Sequence, residues 1–229
     1  MRRYRDGDAA IEAYAEDYAC LVFGLLELFQ ADGDPAWLEW AVELQRLQDQ
    51  RFLDAQAGGW FSTAGGDETL LLRLKEDYDG AEPTASSIGV GNLLTLAHLG
   101  VASPGSDANI ERTLRLFAPR MTQVPRAVPM MLCALSAWHA GMAEVVIAGP
   151  SDDAATIALV RAMDRTYQPF AVLVRSDPET DRGRRLAAAL PWVGAQGMRG
   201  GMPTAYVCRN FACDRPVGSA AELSERLAR

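Results

Sequence analysis

The chain has 229 residues, 49% of them apolar and 23% charged, which suits one large globular domain or one plus a small second unit, and excludes a disordered chain. The net charge of −8 supplies no basic field to neutralise phosphates, so neither nucleic acid nor an anionic membrane surface is expected as a partner. The opening "MRRYRDGDAA" leads into no apolar signal core. The longest uncharged run, "AVPMMLCALSAWHAGMA" (127–143), contains Pro129 and His139 and falls short of the roughly 20 residues a bilayer requires.

In chain order, Tyr18, Val22, Leu25 and Phe29 recur at helical spacing. In "ADGDPAW", Gly33 stops that helix, Asp34 caps the next and Pro35 occupies its first turn. Trp37, Ala41, Leu44 and Leu47 continue the period, so a helical hairpin with antiparallel partners is predicted. "GGWFST" (58–63) breaks the period and reads as a short extended piece or turn. After the acid-rich "EDYDGAEPTASSIG" (76–89), Ser86 or Ser87 is expected to cap a third helix carrying Ile88, Leu93, Leu94 and Ala97, ending at Gly100. A fourth helix carries Ile110, Leu114 and Phe117, and a fifth Val128, Met131, Leu135 and Trp138.

Beyond Gly141 the pattern changes. "EVVIAG" (144–149) and "FAVLVR" (170–175) have strand length and composition, and an acid-capped helix lies between them, a βαβ-like order. "TAYVCRNF" (204–211) adds a third strand and "SAAELSERLAR" a terminal helix, while "MRGGMP" (198–203) reads as a flexible connection, too poor in phosphate-loop companions for a nucleotide site. The chain is thus expected to divide into a helical array over 1–142 and an α/β portion over 143–229. Of the four cysteines, Cys20 and Cys133 read as small core hydrophobes, and the low count points to a reducing cytoplasm. Cys208 and Cys213 stand five apart without a second pair, which argues against zinc; they can be packing residues, a thiol pair, or a disulfide if the segment turns back on itself, which a reducing cytoplasm disfavours. His98 and His139 fall near helix C-termini, where a protonated imidazole is favoured, and no metal cluster is expected.

The order "EDYA", "GDPAWLEWA", "GGWFST", "YDGAEPTASSIGVGNLLTLAHL" and "TAYVCRNFACDRPV" resembles the C-terminal region of a thioredoxin-domain-containing family, the spermatogenesis-associated thioredoxin-like proteins and their bacterial relatives. The resemblance implies a mainly α fold: a partial α/α toroid of the six-hairpin glycosidase type, similar to N-acylglucosamine 2-epimerases, followed by a small α/β portion. Full-length relatives place a thioredoxin-like domain before the toroid; this chain has neither that domain nor a Cys-x-x-Cys, and its helices are too few to close a ring of six hairpins. An open ring leaves an apolar flank, so a homo-oligomer or a partner chain supplying the missing part, with its own thioredoxin-like domain, is expected.

Three functional readings follow from that resemblance. The first is a non-catalytic or partner-completed binding scaffold. The second is a carbohydrate-active, glycosidase- or epimerase-like domain in which the rim carboxylates Asp17, Asp77, Asp79 and Glu82, with Glu16 beside them, act as acid and base. In it Tyr18, Trp60, Tyr78 and Asn92 bind the sugar, Trp60 and Phe61 offering flat faces. Dipole-favoured first-turn acids and ordinary Asp-Gly turn chemistry explain the same carboxylates without function. The third is a redox-associated domain working through Cys208 and Cys213 as a thiol pair facing a thioredoxin-like partner. No cofactor is called for by any motif.

Overall fold

The computed structural model describes residues 1–66, 70–209 and 212–228. The fold is mainly α with an α/β portion, in the order β1 (Arg3–Arg5), β2 (Asp8–Ala10), α1 (Ala15–Asp32), α2 (Pro35–Phe52), α3 (Ala85–His98), α4 (Ser106–Gln123), α5 (Pro129–Ala140), β3 (Ala143–Ala148), α6 (Ala154–Asp164), β4 (Ala171–Ser176), α7 (Asp181–Ala189), α8 (Pro191–Gly194), β5 (Thr204–Arg209), β6 (Ala212–Cys213) and α9 (Ala220–Leu227). Two compact units emerge. One comprises residues 1–26, 39–97 and 102–136; the other comprises 27–38, 98–101 and 137–229, so the tip of the first helical hairpin and the end of α3 belong with the sheet.

In the first unit the predicted hairpin is present. Gln48 of α2 donates to the Ala15 carbonyl at the start of α1 (3.1 Å), and Tyr18 packs on Phe52 with ring centroids 5.5 Å apart, an alignment only antiparallel helices allow. α3 is buried around most of its circumference, from Ala85 through Leu96, which explains its unbroken run of small and apolar residues. Its cap is Thr84 and not Ser86 or Ser87: the Thr84 hydroxyl accepts from the Ser87 N–H (3.1 Å), and both serines lie buried inside the first turn. The sequence around 84–87 offers three hydroxyls in four residues, and only packing decides which one is the cap.

The hairpin tip in the second unit follows the turn chemistry. Gly33 sits at φ 73° and its N–H reaches the Phe29 carbonyl (2.7 Å), while the Asp34 carboxylate accepts from the Ala36 N–H (3.0 Å). The sheet runs β4-β3-β5-β6, with β3 and β4 parallel and β5 antiparallel to both β3 and β6. The Asp153 carboxylate caps α6 by accepting from the Ala155 and Thr156 N–H groups, which sets the crossover between β3 and β4. One sheet face, with Val145, Ile147, Leu173 and Val207, packs against Leu159 of α6 and Leu223 of α9 to form the core of this unit. The alternation of period two places Glu144, Val146 and Ala148 of β3 with Tyr206 and Cys208 of β5 on the opposite face.

Two further expectations change. Cys20 and Cys133 are exposed and not core, because an apolar helical run does not reveal which of its flanks is covered. "MRGGMP" is a tight turn and not a flexible connection: Gly200 and Gly201 have positive φ (59° and 73°), and Arg199 and Met202 exchange both backbone hydrogen bonds. The third strand is described over Thr204–Arg209; Asn210 and Phe211, the last two residues of the predicted run, lie outside the described residues. The small hairpin of β1 and β2 and the helices α7 and α8 have no counterpart among the predicted elements; their runs are charged or short.

Candidate functional site

The predicted acids take three different environments. Asp79 is buried and acts on the backbone: its own N–H donates to the Ala127 carbonyl (2.7 Å), Oδ1 accepts from Thr84 N–H (2.9 Å), and Oδ2 from the N–H groups of Met130 (2.9 Å) and Met131 (3.4 Å). It thereby ties the start of α3 to the first turn of α5, where a carboxylate also meets the positive end of the helix dipole. That orientation corrects the expectation that this acid faces a cavity. Asp77 turns instead to Arg120, whose Nε lies 3.3 Å from Oδ2, and the two line a surface recess with Lys75 and Phe117. Tyr78 beside them is exposed.

Asp17 and Glu82 both act on the charge of Cys20. Asp17 reaches back to the Tyr14 N–H (2.8 Å), closing the N-terminus of α1, and Arg2 lies 3.0 Å from Glu16 and 3.8 Å from Asp17. Desolvation pushes the Glu16 carboxyl above its ordinary value, and Glu76 and Asp17 add to the shift while Arg2 opposes it. The Cys20 thiol, one turn on, is pushed up first by desolvation and then by the carboxylates of Glu82, Asp17 and Glu16. Near the first turns of α1, Glu76 and Asp17 thus act on the charge of Glu16, and Glu82, Asp17 and Glu16 act on that of Cys20.

The aromatic and amide candidates are packed into the core. Trp60 is 1% exposed, its Nε1 donating to Asp49 (2.9 Å), and Gly89 of α3 lies so close beneath the indole that a Cβ there would stand 2.8 Å from the ring. It presents no face to a sugar. Burial pushes the Asp49 carboxyl up, while the Trp60 and Gln45 donors pull it down. Asn92 is buried and donates to the Ala19 carbonyl (2.9 Å). Tyr18 is half-buried against Phe52.

In the second unit, a cleft of about 210 Å3 opens at the carboxyl ends of β3 and β4, the position where open α/β sheets bind ligands. Its arginines are already engaged: Arg182 lies 2.8 Å from the Asp32 carboxylate, and Arg175 donates to the Ala31 carbonyl. The more unusual chemistry lies on the sheet. Cys208 and Cys213 are joined by a disulfide across the paired strands β5 and β6, the turn-back alternative among the readings of this pair. Cys208 is 2% exposed, whereas Cys213 is exposed. Glu144 stands opposite Cys208 in the β3–β5 register, is itself 1% exposed, and places Oε1 2.6 Å from Nδ1 of His98. Sequence reasoning placed His98 by its helix end alone and missed Glu144, a single acid inside a β-branched run; that misfit was the one signal available.

Among the described residues no cluster of His, Cys, Asp and Glu is arranged to hold a metal ion, and no helix is long and apolar enough to cross a membrane. No protein-family model matches the chain. Over 215 residues, 93% of this chain, it is 40% identical to human spermatogenesis-associated protein 20 and 38% identical to the rat protein of that name. It is 35% identical to an uncharacterized protein of Caenorhabditis elegans over 222 residues, 96% of this chain. The chain spans 27% of the length of the human and rat proteins and 29% of the nematode one, so the likeness is to one part of each.

Proposed function

We propose that this chain is a binding or scaffold domain, a partial α/α toroid whose helical surface is completed by helices from outside it, supplied by a second copy or a partner chain. The observation that carries the reading is the outward flank of α1. Cys20, Leu21 and Phe23 are exposed there, Leu21 and Phe23 by 44% each, and Trp40 of α2 by 45%. Large apolar side chains grouped on one helix mark surfaces that another element covers, because leaving them in water forfeits roughly 25 cal/mol per Å2. Light scattering on the purified chain, alone and mixed with the remaining segment of a longer relative, tests this. Association in either case, lost in the double variant L21E/F23E, is the expected result; a monomer under both conditions overturns it.

A second reading, a carbohydrate-active domain, draws on the acids around α1. A carboxyl raised by burial next to neighbouring carboxylates is the pattern that divides acid from base in glycoside chemistry. Glu16 is then the proton donor and Asp17 or Glu82 its partner. The expected outcome is that E16Q abolishes turnover of a glycoside or aminosugar panel by the completed assembly and leaves its thermal unfolding in place. Wild-type assembly inert on the whole panel removes this reading.

A further inference from the structure

We propose that the Cys208–Cys213 disulfide is a redox centre reduced by a dithiol, and that Glu144, positioned by His98, supplies the proton its buried sulfur takes on leaving. This stands apart from the scaffold reading and uses different residues. The two sulfurs are unequal: β6 carries Cys213 at the surface, while Cys208 on β5 is 2% exposed. An attacking thiolate therefore reaches Cys213, and Cys208 becomes the leaving group. A thiolate in an apolar interior is costly, so departure is eased by a proton delivered there.

The sheet places a carrier for that proton. Directly opposed residues of antiparallel strands share a face, with Cβ atoms about 5 Å apart, and Glu144 and Cys208 are such a pair. The Glu144–His98 contact of 2.6 Å joins a carboxyl to an imidazole, two groups between which a proton can pass. The second Glu144 oxygen, Oε2, is buried without a hydrogen-bond partner among the described residues, which carries a desolvation cost. Gln196 completes the site: its Nε2 lies 3.6 Å from the Cys208 sulfur and 3.3 Å from that of Cys213, where it can donate to developing negative charge. The titratable groups that the strands present on this face are Glu144, Tyr206 and Cys208, joined by His98 from the end of α3; the Tyr206 hydroxyl is committed to the Gly197 carbonyl (2.6 Å).

One thiolate of the dithiol bonds to the Cys213 sulfur as the Cys208–Cys213 bond breaks, and the electron pair goes to Cys208. The Glu144–His98 pair protonates that sulfur and recovers its proton from water. The second thiol of the reductant loses its proton to solvent and attacks its own sulfur in the mixed disulfide. Cys213 is released as a thiolate, which takes up a proton. The dithiol is oxidised to a disulfide, and the protein disulfide is reduced to two thiols.

The test uses the full oxidised chain and dithiothreitol, with alkylation and mass measurement of the peptides that hold Cys208 and Cys213, so that Cys20 and Cys133 do not enter the count. The wild type is expected to reduce and reoxidise reversibly. Glu144→Gln is expected to slow reduction per reductant thiolate by at least about tenfold, and Glu144→Asp to restore part of it. A rate per thiolate that depends on pH in the wild type and not in E144Q is the expected signature of proton delivery by this residue. Circular dichroism checks that the variants fold; should E144Q not fold, His98→Gln is read in its place, with the same loss expected. A disulfide that does not exchange removes the redox centre altogether. Exchange at the wild-type rate and with the wild-type pH profile in the folded variant leaves a redox disulfide and overturns the role of Glu144.

Discussion

Two buried carboxylates, one in each unit, have opposite surroundings. Asp79 in the helical unit has both oxygens filled by backbone N–H groups of Thr84, Met130 and Met131. Glu144 on β3 has one oxygen on His98 and the other without a partner among the described residues. A buried carboxylate satisfied by backbone donors holds chain segments together; one left half-satisfied retains capacity to exchange a proton or accept a new bond. The same residue class thus serves architecture in one region and is available for chemistry in the other.

The largest effect expected to sharpen this contrast is Asp79→Ala. It strands buried N–H groups at the starts of two helices and should cost about 2–4 kcal/mol in urea unfolding, at roughly one to two per lost cap. A loss below about 1 kcal/mol would mean that water replaces the carboxylate and that Asp79 is not structural. Next comes Glu144→Gln, which keeps the shape and a hydrogen bond to His98. It should cost about 1 kcal/mol, clearly less than the Asp79 change; a larger cost than D79A would show that Glu144 is the more structural of the two carboxylates.

The smallest effect concerns Asp54, whose carboxylate is surface-accessible. Lys75 at 2.8 Å and the N–H groups of Ala57 and Gln56 lower its pKa from 3.8 to about 2. The folded value lies below the unfolded one, so the contribution is present above about pH 4 and is lost as pH falls toward 2. Solvent screening keeps it under about 1 kcal/mol. Lys75→Met should flatten the dependence of stability on pH in that window, measured by urea midpoints between pH 4.5 and 2; an unchanged slope would show that the backbone donors alone hold the carboxylate.

Much of the architecture was legible in residue order. The Gly33-Asp34-Pro35 stop, cap and start, the Asp153 cap, and the strands at 143–148 and 171–176 all rest on interactions within a few residues. The candidate sites were less legible. Trp60 and Asn92 are residue types that stack on and hydrogen-bond sugars, yet both serve the core, and no local pattern separates the two uses. The exposure of Cys20 and Cys133 was hidden for the same reason, since helical periodicity marks a stripe but not what covers it.

Sequence alone determined the local elements and the change at Gly141 from helical to strand periodicity, because turn chemistry and hydrophobic period act over neighbours a few residues apart. Only the tertiary structure decided that Asp79 turns inward to helix starts, that Cys208 pairs with Cys213, and that Glu144 meets His98 across 46 positions of chain. Those pairings depend on which strand faces are buried and on the β3–β5 register, long-range quantities set by packing of the whole unit and encoded in no single stretch.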